Sequence, residues 1–336
     1  MKYEWDVIGH NKEIAYLQKI IENGKISHAY LINGSKESGK LSLAFGFIYS
    51  IYCTSVDAKR PCNKCVNCQK IKKGVFPDFL HIKKLDLPAG KAGKKKNISI
   101  EQIRTVIKTL NQTSGAGNYK ICLIENAESL SLGAANALLK TLEEPKGKTI
   151  MILLTEKETL PATIKSRCHS INLKPVSTKD IYDYVFASKE DRDLAQIISH
   201  LSKNKPEITK ALLKSNKKIT AFTEEVEKIS AIIEAPDSKK IKLTEKLIKS
   251  IRFENKEKLI TNLNIWQSVF RDALLIKNSH PELIVNINSE RNITSISKKL
   301  QNNQLGNSIL KITKIKKLLE QNVNAKLLIE NFLLDI

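Results

Sequence analysis

Four of the six cysteines stand close together in the sequence, at Cys53, Cys62, Cys65 and Cys68. Two Cys-x2-Cys steps share Cys65, and four thiolates at this spacing can close a tetrahedral Zn²⁺ site. The set contains no histidine and leaves no open coordination position, so the predicted zinc is structural. Unliganded buried cysteines and an iron–sulfur cluster are the alternatives.

A second candidate site is the segment Gly34-Ser35-Lys36-Glu37-Ser38-Gly39-Lys40, which matches the GxxxxGK phosphate loop between a predicted strand and a predicted helix. Such a loop offers backbone N–H groups to phosphate, and Lys40 could reach the outer phosphates. Leu41 stands where a Ser or Thr would hold Mg²⁺, and Ser42 comes one residue too late, about 100° further round the helix. The segment predicts a degenerate nucleotide site formed by Gly34, Gly39, Lys40 and Ser42. A strand–turn–helix that no longer binds nucleotide remains an equal alternative.

The run Ile121–Ile124 reads as an inner strand that ends in Glu125-Asn126. An ATPase of this type uses one carboxylate at this place for Mg²⁺ and a second group to activate water. Glu125 could take the first role, but the Asn126 amide cannot act as a base. The sequence therefore argues against hydrolysis and leaves the binding of ATP and Mg²⁺ open.

The elements around these residues alternate between strands and helices. Strands are predicted over 28–33, 80–84, 119–125 and 149–155, with helices over 41–51, 100–110 and 133–142 and a Gly/Lys-rich loop over 88–97. This alternation is typical of a parallel α/β sheet covered on both faces. After about residue 172 only helical spacing remains. We predict an α/β domain over 1–171 that contains the zinc module (53–68), a small helical domain over 172–215 and an all-α domain over 216–336.

The chain of 336 residues carries a formal net charge of +21, of which +12 lies in the first 170 residues. A positive charge spread over the fold suits an acidic partner such as DNA, although a lysine-rich composition explains it equally well. No uncharged apolar run of about 18 residues is present, so no membrane span is expected. The first residues lack the apolar stretch of a signal peptide, and we expect a cytoplasmic protein.

Three motifs in this order resemble the AAA+ clamp-loader subunits of bacterial DNA polymerase III. They are the phosphate loop with the cysteine cluster after it, the helix from Ala134 to Pro145, and the segment Ser166-Arg167-Cys168. The likeness covers residues 5–170 and returns at 266–274 and 322–329. It implies an AAA+ phosphate-loop domain, a helical lid domain and an all-α collar domain. It also implies a five-membered ring with gamma/tau and delta subunits that loads a sliding clamp onto primed DNA.

The same resemblance implies that Arg167 acts as an arginine finger on the ATP of a neighbouring subunit. The two degenerate motifs favour the subunit type that does not hydrolyse ATP, and no sensor arginine is evident where Lys205-Pro206 stands. Two alternatives remain. One is an active ATPase of the gamma/tau type, and the other is a zinc-dependent nucleic-acid-binding module that works outside any ring.

Overall fold

The computed structural model describes residues 2–55, 59–83, 97–112, 119–156, 159–251, 253, 255–321 and 323–336, without the side chains of 216, 237 and 320. The chain forms two compact units. The first comprises residues 1–180 together with 204–207, and the second comprises 181–203 and 208–336. Most of the loop predicted over 88–97 lies outside the described residues.

The first unit is built on a sheet whose described strands are all paired in parallel. The strands are β1 (Ala29–Asn33), β2 (Phe79–Ile82), β3 (Lys120–Ile124), β4 (Thr149–Thr155) and β5 (His169–Asn172), in the order β2-β3-β4-β1-β5. In the register, Tyr30 of β1 lies opposite Ile152 of β4 on one side and His169 of β5 on the other.

Helices cover both faces of this sheet. They are α1 (Asn11–Glu22), α2 (Lys40–Tyr52), α3 (Val66–Lys72), α4 (Ile100–Leu110), α5 (Leu132–Glu143) and the short α6 (Ala162–Lys165). Successive residues of a strand point to opposite faces, so Leu123 joins a core cluster with Phe47 of α2, whereas Cys122 joins a second cluster with Ile103 of α4 and Leu138 of α5. The predicted parallel α/β fold with covered faces is confirmed.

The second unit is helical throughout its described residues. Its helices are α8 (Arg192–Leu201), α10 (Asn216–Glu234), α11 (Asp237–Ser250), α12 (Lys256–Lys277), α13 (Glu290–Lys299), α14 (Asn302–Glu320) and α15 (Ala325–Leu334); α7 (Thr178–Lys189) and α9 (Pro206–Leu213) begin in the first unit and continue into this one. Trp266 and Phe270 of α12 are fully buried and contact Phe332 of α15. The Trp266 indole N–H donates to a carboxylate oxygen of Glu225 at 2.9 Å, which satisfies its only donor inside the core.

Three elements of the first unit were not predicted, namely the edge strand β5 and the helices α3 and α6. All three are short, and β5 has only Ile171 buried, so none leaves a strong periodic pattern in the sequence. The division into domains at 1–171, 172–215 and 216–336 stays a prediction. Among the described residues, no helix combines the length and the apolar composition that a membrane span requires.

Candidate functional site

The four cysteines come together between the end of α2 and the start of β2. Cys53 follows the last turn of α2, Cys65 caps α3, and Cys68 lies inside α3. The four sulfur atoms all lie within 4.8 Å of one another. Backbone N–H groups point at the sulfurs, with Cys62 N 3.5 Å from the Cys53 Sγ and Cys65 N 3.3 Å from the Cys62 Sγ. The cluster is positioned to bind a metal ion, as the spacing predicts.

The protonation of these thiols is set by burial and by the donors around them. Burial raises the pKa of Cys53, although N–H donation from Cys62 opposes the rise. At Cys65 burial also works against the thiolate, but N–H donation from Cys68 and Thr54 outweighs it and brings the pKa to about 6. A thiolate is the form that ligates a metal, so Cys65 is prepared for this role.

The segment from Cys53 to Phe76, here called the cysteine module, is fixed to the sheet by Tyr52. The Tyr52 hydroxyl donates to the carbonyl oxygens of Asp78 at 2.7 Å and Tyr119 at 3.0 Å. Its ring lies 4.5 Å from that of Phe76, and its carbonyl accepts from the Asn67 side chain at 2.9 Å. These bonds hold α3 in one orientation against the rest of the first unit.

The phosphate loop follows β1 and leads into α2, as predicted. Gly39 has φ of 89°, which favours glycine, and a Cβ on Gly34 would lie 2.7 Å from the Ser38 hydroxyl. The Lys40 ammonium donates to the carbonyl oxygens of Gly34 at 2.8 Å and Ser35 at 2.6 Å. The loop therefore binds its own lysine, and burial lowers the pKa of that lysine.

The carboxylate of Glu207, which is distant in sequence, lies next to the same loop. The Ser42 hydroxyl donates to Glu207 Oε1 at 3.1 Å, and the Glu207 N–H donates to the Glu37 carbonyl at 3.3 Å. Lys205 pairs with the Glu37 side chain at 2.9 Å and so fixes the segment that carries Glu207. A negative charge at this place repels the phosphates of a nucleotide.

Glu125 lies at the carboxyl end of β3, but its carboxylate already has partners. His81 Nε2 lies 2.6 Å from Glu125 Oε1, and the Lys83 ammonium lies 3.5 Å away. The hydrogen bond with His81 is the main reason that the pKa of Glu125 is lowered, although burial opposes it. The next residue, Asn126, has φ of 53°, a conformation that asparagine tolerates better than most residues. Local backbone geometry is therefore one physical reason for an amide at this position.

Arg167 lies on the turn between α6 and β5. Its Nη2 forms an ion pair with Glu143 Oε1 at 2.7 Å, and its Nη1 donates to the Thr163 carbonyl at 2.9 Å and the Ser166 hydroxyl at 3.3 Å. The side chain is 35% exposed. Burial raises the pKa of the neighbouring Cys168 to about 11, which argues against a nucleophilic role for that thiol.

The position of Arg167 relative to the phosphate loop follows from the topology. Arg167 precedes β5 and the loop follows β1, and these two strands are parallel neighbours with Tyr30 opposite His169. The two sites therefore lie at opposite ends of the sheet, separated by a strand of about 15 Å. Arg167 therefore lies at the end of the sheet opposite the only phosphate loop that the described residues of this chain contain.

The structure adds three residues that the sequence did not single out, namely His81, Glu143 and Glu207. Glu143 stands at the end of α5, in the same helical motif that carries the resemblance, and that motif is the one sequence signal that points to it. Glu207 is 165 residues from Ser42 and leaves no local signal.

Comparison with known proteins gives a consistent picture. A family model described as "DNA polymerase III, delta subunit" matches residues 9–177, and one described as "DNA polymerase III, delta subunit, C terminal" matches 240–336. The chain is 28% identical to the DNA polymerase III subunit delta' of Bacillus subtilis over 95% of this chain and 93% of that protein. It is 34% identical to the subunit tau of B. subtilis over 52% of this chain but only 30% of that protein. A gamma subunit-related protein from Thermotoga maritima, 18% identical, shares the fold with a TM-score of 0.53 over 94% of this chain and 97% of its own.

Proposed function

The chain belongs to the DNA polymerase III delta-subunit family, and from this membership we propose that it is a delta-prime-type subunit of a bacterial clamp loader. In this role it assembles with gamma/tau and delta subunits into a five-membered ring. The ring loads a sliding clamp onto primed DNA in the cytoplasm during replication. The chain contributes as an AAA+ module with a lid (172–215) and a collar (216–336).

The observation that carries this proposal is the nearly full-length match to a delta' subunit. It extends over 319 residues and so includes both compact units. The match to tau has the higher identity but ends after 177 residues. The match to the C-terminal delta family over 240–336 also supports the delta-prime type over the gamma/tau type.

The proposed subunit does not hydrolyse ATP. Three features of the nucleotide site support this part of the proposal. Lys40 is bound by its own loop, Glu207 places a negative charge beside Ser42, and Glu125 is paired with His81. Each feature opposes the binding of Mg²⁺ and phosphate or engages the carboxylate that stands at the Mg²⁺-binding position.

Arg167 is proposed to act on ATP that a neighbouring gamma/tau subunit binds. Its place at the end of the sheet away from its own phosphate loop supports action in trans. Its guanidinium has five N–H donors, of which three are used by Glu143, Thr163 and Ser166. The remaining donors can bind phosphate oxygens and stabilise the charge of the transition state.

The metal proposed for the cysteine module is Zn²⁺. Four sulfur ligands favour zinc, and zinc with four thiolates has no open position for substrate. Its role is then to hold the turn between α2 and α3, two elements that bury Phe47 and Ile71 in the same core.

The test is reconstitution with gamma/tau, delta and sliding clamp from the same organism. We expect DNA-stimulated ATPase and clamp loading to require this chain, and we expect the chain alone to show no turnover. Robust turnover by the chain alone that Lys40→Ala abolishes would instead establish the gamma/tau alternative. Binding of DNA without any binding of gamma/tau or delta would favour the separate nucleic-acid-binding module.

A further inference from the structure

The outer side of the cysteine module carries an unusual concentration of positive charge. Between positions 58 and 77 the sequence has six basic residues and no acidic one. Five of these residues are lysines, and all five are exposed. Lys59 forms an ion pair with Glu4 at 2.8 Å, and the other four are here called the lysine face: Lys64, Lys70, Lys72 and Lys73. None of these four ammonium groups forms an ion pair within the described part of the chain.

Helix α3 separates this face from the inside of the module. Cys68 and Ile71 are buried, and the Asn67 side chain bonds the Tyr52 carbonyl, so these three residues fix the inner side. With about 100° per residue, Lys70 and Lys73 fall on the opposite side of the helix. Because Tyr52 anchors the module, Lys70 and Lys73 are held on its outer side. Lys72, about 200° from Lys70 round the helix, lies on the flank of α3 next to Cys68.

One alternative is that the lysines neutralise the negative charge of the thiolates. The contacts argue against this reading. The groups that donate to the sulfurs include the backbone N–H groups of Cys62, Cys65 and Cys68, with further donation by Thr54 to Cys65. No hydrogen bond from a lysine ammonium to a sulfur is found among the described residues, so the lysine face remains available for another anion.

Like charges three residues apart on a helix, such as those of Lys70 and Lys73, repel one another, and the repulsion is relieved when a polyanion binds. The phosphate backbone of a nucleic acid fits better than an acidic protein. Protein interfaces depend on buried aromatic or aliphatic anchors, whereas the described part of the module exposes only Val66 and Val75 among its large apolar side chains. Lysine binds phosphate as a point charge without reading the base sequence.

We propose that the lysine face of the cysteine module is a sequence-independent binding surface for the phosphate backbone of DNA. The surface deepens the proposed function, since it gives a clamp-loader subunit a DNA contact outside its nucleotide site. Lysine contacts of this kind release counterions, so each phosphate contact contributes a slope of about −0.9 to log K against log salt on duplex DNA, or about −0.7 on a single strand.

The experiment measures the anisotropy of a fluorescein-labelled primed DNA with the full chain over a series of KCl concentrations. The test variant is Lys70→Gln, Lys72→Gln, Lys73→Gln. The matched control is Lys242→Gln, Lys246→Gln, Lys249→Gln, which removes the same charge from exposed positions on one side of α11. We expect the test variant to reduce affinity at least about tenfold at 0.1 M salt and to reduce the slope by about 2 to 3. The control should change the slope by less than one.

Zinc content and thermal unfolding of both variants establish that the module is intact. If both variants weaken DNA binding equally, or if neither does, the lysine face is not the binding surface. Competition by a polyglutamate peptide as strong as that by DNA of equal charge would assign the surface to an acidic protein and overturn the proposal. If the wild-type chain supports clamp loading without binding DNA, this inference is wrong and the proposed function stands. If the wild-type chain binds DNA but never assembles with the other clamp-loader subunits, the proposed function is wrong and this inference stands.

Discussion

Replacement of Arg167 by alanine distinguishes a structural role of this residue from a catalytic one. The two roles predict effects of very different size on the stability of the chain and on the rate of ATP hydrolysis. The Arg167 and Glu143 side chains are 35% and 48% exposed. An exposed ion pair of this kind contributes about 0.2–1 kcal/mol. The other two acceptors, Thr163 O and Ser166 Oγ, are also at the surface. We therefore expect Arg167→Ala to lower the free energy of unfolding of the isolated chain by about 1 kcal/mol or less.

The catalytic effect is expected to be much larger at the single ATP site that Arg167 is proposed to serve. An arginine finger contributes about 10³–10⁵ in rate, equivalent to about 4–7 kcal/mol. Turnover at that site should fall almost to zero, while sites served by other subunits continue. The ATPase of the whole complex should thus lose roughly the share of one site. Arg167→Lys should rescue poorly, because an ammonium lacks the planar fork of a guanidinium.

The assay combines urea unfolding of the isolated chain with DNA-stimulated ATPase and clamp loading of the reconstituted complex. Arg192→Ala is a matched control, since Arg192 is an exposed arginine at the start of α8 with no ion pair in the described part of the chain. Glu143→Gln removes the partner charge but leaves the guanidinium in place, and it should retain most of the ATPase. If the Arg167→Ala complex assembles and hydrolyses ATP at the wild-type rate, Arg167 is not a finger. A loss of stability well above that of an exposed ion pair would show that Arg167 also has a structural role.

Four further predictions concern the metal, the helical core, the nucleotide site and the acid range. Cys65→Ser should lower zinc from about one ion per chain to well below one by elemental analysis, whereas Cys168→Ser should leave it unchanged. Asp272→Ala should destabilise the chain by about 2–4 kcal/mol in urea, because the buried carboxylate accepts hydrogen bonds from the backbone N–H groups of Val285 and Asn286; retention of wild-type stability would contradict this role. Glu207→Gln should raise the affinity for a fluorescent ADP analogue above that of the wild type, by about tenfold if the carboxylate contributes about 1.4 kcal/mol of repulsion, and equal affinities would show that the carboxylate does not exclude nucleotide. Since the lowered pKa of Glu125 gives stability that is present above about pH 4.3 and lost as pH falls through the folded-state pKa, wild type and Glu125→Gln should differ in stability at pH 7 and converge in acid as that carboxylate is protonated.

Much of the first unit could be predicted because its patterns are local. Helix α4 was expected over 100–110 and β4 over 149–155, and both have these bounds in the structure. Ser99 begins α4 with a capping box to Gln102, a signal that lies within four residues. Local spacing likewise predicts that the four cysteines lie close together, since short loops limit how far apart their sulfurs can lie.

Other features depend on parts of the chain that are distant in sequence. The partner of Ser42 lies beyond the whole α/β core, at Glu207, and only the fold brings the two together. The edge strand β5 shows one buried residue in four, so its place beside β1 comes from the parallel pairing and not from a hydrophobic pattern. Periodicity finds the elements that bury a face, and it misses those held mainly by backbone hydrogen bonds.

Bonds within the chain itself hold the phosphate loop between β1 and α2. Lys40 satisfies two loop carbonyls, Glu207 accepts from Ser42, and Gly39 provides the backbone turn into α2. The loop is therefore explained as a connection between β1 and α2. Arg167 lies at the opposite end of the parallel sheet and shares none of these contacts. Because the two ends are structurally independent, a chain of this fold can lose hydrolysis at one end while it keeps an arginine for a neighbour's ATP at the other.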